Sequence, residues 1–451
     1  MNNKLSLLYL YLLFAIAFLF ALHNSYNYPV SDAFYYIKSI IIPLHNDQLE
    51  FRDLFLVRNS MDHQHLLYKL FLILNYKIFN LNFRIELVFG LIGMLFCCLL
   101  IINKLRKDLS NENNLLTLFI QILIIINLIS YNEYEHLSWT LVTFQYWMIF
   151  LVLLFFYLID KMLIKKDVIN TQYKFYLMVI LTLLGSSFGE IAVILSIAVF
   201  ILFGLIMKEK RFFLISAIIF LIFIFVSTFI FLLKSVPVVN KGFNYNIVSI
   251  GVLQFILYLL GQGLISVGNL KNIFNIDYHN ISFILGFLVF LTNIYVVFIY
   301  FRSKLYLSTT YPFLLLLFSY VLLLGLIWTR FRYFGSEYAF QPRYVLLMEF
   351  NIISLLWILG IYFLRNHVFA FRYLYILIGS IIILMQIGII PIKYKTSKWI
   401  IKYHKNEEKE VRMLADSEIE KASMPRINVY GAKEVSRFLK ENHLSLFDGE
   451  F

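Results

Sequence analysis

Apolar runs close to 20 residues long recur along this chain, and they leave few folds open. The first, "LSLLYLYLLFAIAFLFAL", covers Leu5 to Leu22 without a charge. A segment of roughly 20 apolar residues is what crosses a bilayer core of about 30 Å. In lipid the backbone must satisfy its own hydrogen bonds, which leaves helices or a closed barrel. The period-2 alternation of a barrel is absent. The expectation is an all-α fold, a polytopic transmembrane helical bundle. Composition agrees: charged residues make up 15%, against about 25% in soluble domains.

The pattern places spans at about 5–22, 84–103, 115–131, 138–158, 173–187, 190–207, 212–233, 281–300, 310–328, 345–363 and 373–391. The first run exceeds a signal-peptide core and has no small-residue cleavage site, so it reads as an uncleaved span. The net charge of +12 does not point to nucleic acid, because the basic residues are scattered over loop ends rather than gathered on one face. Instead they set topology. The clusters at Lys104/Arg106/Lys107, Lys161/Lys165/Lys166, Lys208/Lys210/Arg211, Arg302/Lys304 and Arg365/Arg372 fit one cytoplasmic side. About 11 spans follow, with the N-terminus inside and the C-terminus outside. That count requires 249–269 not to cross; its Gln254, Gly261, Gln262 and Gly263 suit a re-entrant or interfacial helix. Five lysines between Lys393 and Lys405 strain the outward tail. Cys97 and Cys98 are adjacent and carry neither a disulfide framework nor zinc spacing.

Residues 23–83 then form a long first external loop. It is too long for a turn, and "DAFYYIKSIIIPL" and "HLLYKLFLILNYKIF" have the spacing of amphipathic helices at the interface. The domain organisation is a transmembrane domain over 1–391, which includes this loop, and a short external tail over 392–451.

Ionisable residues gather on the loop's side. Asp32 opens an amphipathic run and reads equally as a helix N-cap or as a carboxylate that acts as general base or holds a divalent cation. Asp62, His63 and His65 crowd "MDHQH". The histidines are two apart and so diverge on a helix; the cluster suits substrate contact better than metal. Glu190 starts a span after "GSSFG", where an acid at membrane depth is a functional candidate, though it also complements the helix dipole. Glu133, Glu135 and His136 read as a solvated lip. Arg343, followed by Tyr344 in "QPRY", offers a planar guanidinium to a phosphate at headgroup level, or snorkels. Arg330 and Arg332 share that load, or anchor the interface with Trp328 and Tyr333.

Asp32, "DHQHLLYKL", "GSSFGE", "QPRY" and the closing "RFLKENHLSLF" together resemble the GT-C class of polytopic glycosyltransferases in bacteria. Such relatives often read Glu-His-Arg where this chain has Asp62, His63 and Gln64. The resemblance implies an inverting glycosyltransferase of the bacterial inner membrane. Its partners would be a polyprenyl-phosphate-linked sugar donor, a glycan or lipid acceptor and membrane lipids, with no nucleic acid. In that picture Asp32, Asp62 and Glu190 supply catalytic carboxylates. His63, His65, Arg343, Tyr344 and Arg332 hold substrate; no cofactor is required, and a divalent cation remains an option. An O-antigen-type polymerase or ligase would place its large loop late in the chain. A transporter or flippase would show repeated halves and mid-membrane charges.

Overall fold

The computed structural model describes residues 2–55, 66–109, 115–132, 135–164, 169–233, 245–247, 249–266, 269, 278–341, 344–366 and 369–449. Among these residues the structure is entirely helical, without strands. Among the described residues nine helices are long and apolar enough to cross a membrane. They are α1 (Asn2–His23), α5 (Phe83–Asp108), α8 (Thr140–Ile164), α10 (Gly189–Met207), α11 (Lys210–Leu233), α13 (Tyr278–Arg302), α14 (Tyr311–Leu326, continued to Phe334), α16 (Val345–Asn366) and α17 (Phe369–Ala415). Two shorter apolar helices, α6 (Leu115–Leu128) and α9 (Ile169–Gly185), lie at the other two expected spans.

A buried ionic cluster ties one end of the bundle. Lys104 Nζ lies 2.5 Å from Asp108 and 2.8 Å from Asp160. Asp160 Oδ1 accepts from the Thr310 and Tyr311 N–H groups at 2.7 and 3.0 Å, which satisfies the free amides at the start of α14. Thr309 donates to Asp108 at 2.8 Å. The ends of α5 and α8 and the start of α14 therefore meet here. Lys104 is 5% exposed, so it is an internal ion-pair residue rather than the loop charge its sequence context suggests.

The opposite end carries the first loop. There α2 (Asp32–Tyr36) runs through a π-helical stretch (Ile37–Ile41) into α3 (Ile42–His45), and α4 (Leu66–Phe79) returns to α5. Phe34, Ile37, Ile40 and Ile41 are fully buried. On α4, Tyr68, Phe71 and Leu72 face the core, while Leu70, Leu74 and Ile78 form an exposed apolar stripe. A helix with apolar residues on both faces needs something greasy outside as well, as the interface plane provides.

Helix α12 (Ile250–Gln262) has 13 residues, about 20 Å at 1.5 Å each, short of a 30 Å core. It lies against α13 with almost no gap. A Cβ at Gly286 would sit 1.8 Å from the Leu257 carbonyl oxygen, and one at Gly261 would sit 2.2 Å from that of Ser282. Small residues permit such close approach of helix backbones. The segment after α12 is pinned by Asn132, whose side chain accepts from Ser266 N–H at 2.6 Å and donates to Gln262 O at 3.2 Å.

The helix that carries the last expected span does not end near residue 391. Helix α17 continues through Pro391 to Ala415, 47 residues in all. At about 70 Å it is more than twice the bilayer core, so its charged half projects beyond the bundle. The tail then folds back as α18 (Ala432–Glu441) and docks on the first loop. Ser445 N–H donates to Asn80 O at 2.8 Å, and Lys38 pairs with Glu434 at 2.5 Å.

Candidate functional site

The site is built where the first loop, the projecting half of α17 and the tail meet. Ser31 precedes α2 with φ 50° and ψ −118°, and its hydroxyl makes no capping bond. A non-glycine residue in that region is strained. Its N–H donates to the Arg426 carbonyl at 2.7 Å, and its carbonyl accepts from Phe34 N–H. Asp32 is therefore the first helical residue of α2 rather than its cap, and it is partly buried. A carboxylate there is favoured by the unpaired amides of the helix start.

Behind Asp32 sits a buried cluster. Glu407 is fully buried and accepts from the Tyr28 hydroxyl at 3.0 Å. The same hydroxyl lies 2.9 Å from His404 O and 3.2 Å from His404 Nδ1; its single proton serves one of these acceptors at a time. Arg426 Nε is 3.1 Å from Glu407. That is an ion pair by distance but not aligned as a hydrogen bond. The guanidinium lies 5.3, 5.5 and 5.9 Å from the ring centres of Tyr26, Trp139 and Tyr403, so cation–π attraction adds to the pairing. Burial pushes the Tyr26 and Tyr28 phenols well above their usual range, and Glu407 raises both further. Both stay neutral. Burial works against the Arg426 charge, yet Tyr26 and Glu407 raise its pKa overall.

Beside this cluster a cavity of about 450 Å³ opens, within the usual range for small-molecule sites. Its walls include Tyr26, Tyr28, Arg84, Lys405, Glu408 and Asp448. His404 also lines it, with a buried Nε2 that has no hydrogen-bond partner among the described residues.

The other expected site residues are dispersed. Glu190 is exposed and heads the outward stripe of α10 that continues through Ile194, Ile201 and Leu205. The neighbouring Ser187 donates to Met148 Sδ at 3.2 Å, which sets this turn about 12 Å below Thr140 along α8. Among the described residues the Glu190 side chain makes no ion pair or hydrogen bond. Arg332 lies over the Trp328 ring at 4.3 Å, the arrangement of an aromatic anchor. Tyr344 is buried, its ring 6.0 Å from that of Tyr338. Asp62, His63, His65 and Arg343 lie outside the described residues. Among the described residues no three His, Cys, Asp or Glu side chains converge to hold a metal.

Sequence reasoning missed His404, Glu407 and Arg426. One signal was present: His404 and Glu407 are three apart and so share a face if the helix continues past Pro391. Compared with known proteins, the chain matches no family model, no curated protein and no solved structure.

Proposed function

We propose that this chain is an integral-membrane glycosyltransferase that moves a sugar from a polyprenyl-phosphate-linked donor to a glycan or lipid acceptor. The observation that carries this reading is Asp32: a partly buried carboxylate at the start of a loop helix, next to Ser31, whose N–H donates to the Arg426 carbonyl. At the membrane interface a lipid-borne phosphate and a water-borne hydroxyl meet, and a carboxylate has the chemistry of a base there. In the proposed step Asp32 takes the proton of the acceptor hydroxyl. The acceptor oxygen bonds to the anomeric carbon as the bond from that carbon to the donor phosphate oxygen breaks. Polyprenyl phosphate leaves with the electron pair, and the anomeric carbon inverts. Arg343 is proposed to hold the leaving phosphate, with Asp62, His63 and His65 contacting substrate.

The accompanying topology is eleven crossings, with α12 re-entrant, the Lys104–Asp160 end in the cytoplasm and the first loop and tail outside a bacterial inner membrane. Two observations support it. The loop and tail share one end through Ser445–Asn80 and Ser31–Arg426, and α12, with 13 residues, is the shortest apolar helix among the described residues.

The test is the surface-glycan mass profile of a strain lacking the gene, complemented with wild type or Asp32→Asn. Loss of one sugar, restored only by wild type, supports a transferase. Shortened chains of complete repeat units would make it a polymerase, and an unchanged profile would remove the reading.

A further inference from the structure

We propose that the cavity between the first loop, α17 and the tail is a subsite for a neutral pyranose unit of the acceptor. The assignment of this unit to an acceptor rests on the transferase reading; the binding chemistry stands on the cavity itself. A sugar presents hydroxyls that both donate and accept, on a ring with apolar C–H faces. The walls match the hydroxyls. Glu408 and Asp448 accept, Arg84 and Lys405 donate, and two acids against two bases leave little net charge to recruit a free anion. Tyr26 and Tyr28 close the wall from behind, 3% and 1% exposed, their rings 4.8 Å apart and the Tyr28 hydroxyl tied to Glu407. That fixed ring costs no ordering on binding. Each carboxylate keeps capacity for a ligand: Glu408 is bonded to Arg412 at 3.1 Å and Asp448 to Asn80 at 3.3 Å, and a carboxylate accepts about four bonds.

Position adds to the chemistry. Arg426 touches the Tyr26 ring of the cavity wall and, through its carbonyl, the N–H of Ser31 beside Asp32. The cavity and the proposed base therefore share one support.

The experiment uses the full chain in lipid nanodiscs, since maltoside detergents would themselves present sugar. A panel of methyl glycosides is titrated by saturation-transfer NMR, with inorganic phosphate and glycerol phosphate as competitors. At least one glycoside is expected to bind the wild type and to be indifferent to phosphate. Glu408→Ala with Asp448→Ala should weaken it by about tenfold or more, the worth of a hydrogen bond to a charged group. Ile401→Trp, which fills the cavity from α17, should abolish it, while Gly388→Ala, whose Cβ would meet nothing within 4 Å, should keep it. Binding by no glycoside, displacement by phosphate, or wild-type binding in both cavity variants would each overturn the subsite. Glycoside binding by a chain whose deletion leaves surface glycans unchanged would leave the subsite standing and remove the transferase reading instead.

Discussion

The Tyr28 hydroxyl donates to Glu407 Oε2 at 3.0 Å, joining the first loop to a carboxylate 379 positions later in the chain. With Arg426 on the other side of Glu407, this contact makes the tail part of the loop's support. A buried pair is costly to break, because the remaining charge is left without compensation, at about 3–5 kcal/mol. Arg426 keeps 18% of its side-chain exposure, so the lower end applies. Glu407→Ala is expected to lower the melting temperature and to open 416–431 to limited proteolysis. Replacing both partners, Glu407→Leu with Arg426→Met, should cost less than Glu407→Ala alone. A double variant worse than the single one would show that the pair is not what holds the tail.

How much of this was readable beforehand follows from the range of each signal. Helical periodicity is local, and every expected span coincides with a helix among the described residues. The first-loop helices were legible for the same reason. The site was not. "KYHKNEEKE" reads as a solvated charge run until α17 is known to continue through Pro391 and to meet Tyr28 and Arg426. Lys104 misled in the same way: its neighbours Arg106 and Lys107 mark a loop, whereas its own partners Asp108 and Asp160 bury it. Pairing over hundreds of positions depends on topology, which a linear pattern does not carry.

The α12–α13 contact gives a steric prediction. Gly286→Leu drives a side chain into the Leu257 carbonyl, since even a Cβ would sit 1.8 Å from that oxygen. Overpacking of this kind costs about 1–3 kcal/mol or more. The monodisperse fraction on size exclusion should fall sharply. Gly388→Ala is the control: nothing lies within 4 Å of its Cβ, and removing a helical glycine gains roughly 0.5–1 kcal/mol. Equal behaviour of the two variants would refute the close packing.

Lys69 predicts a pH dependence. It is 1% exposed, and its Nζ donates to Leu54 O at 2.8 Å. Burial lowers its pKa to about 8, with Asp53 partly opposing. Below pH 8 both folded and unfolded chains carry the proton, and the fold bears the full desolvation penalty. Between about 8 and the unfolded value near 10.4 the folded chain releases its proton first, so stability rises with pH. Melting temperatures from pH 7.5 to 9.5 should therefore climb more steeply in wild type than in Lys69→Met. Parallel slopes would mean that the buried amine does not titrate.

Sidedness is checked by cysteine labelling. Asn46 on the loop, Asn428 on the tail and Lys210 at the opposite end are all exposed, and the native Cys97 and Cys98 are buried. An impermeant maleimide on intact cells should label Asn46→Cys and Asn428→Cys but reach Lys210→Cys only after permeabilisation. Opposite sidedness of Asn46 and Asn428 would contradict the docking of the tail on the loop.

The last prediction concerns the base. Asp32 occupies the first turn of α2, where its charge contributes about 0.3–1 kcal/mol through the helix dipole. Asp32→Asn keeps the shape and loses at most that, so the variant should melt within a few degrees of wild type. Removing a general base costs about 10²–10⁴-fold in rate, so sugar transfer should nearly vanish in an otherwise intact chain. Asp62→Asn and Glu190→Gln separate the alternatives. Glu190 stands on the exposed stripe of α10, about 12 Å below Thr140 along the bundle, and Glu190→Gln should leave most activity in place. If Asp62→Asn is inactive while Asp32→Asn transfers normally, the base lies in the "MDHQH" cluster and Asp32 only completes a helix start. Wild-type transfer by both Asp32→Asn and Asp62→Asn, with loss in Glu190→Gln, would move the chemistry into the bundle, and the end built by Tyr28, Glu407 and Arg426 would then be a brace alone.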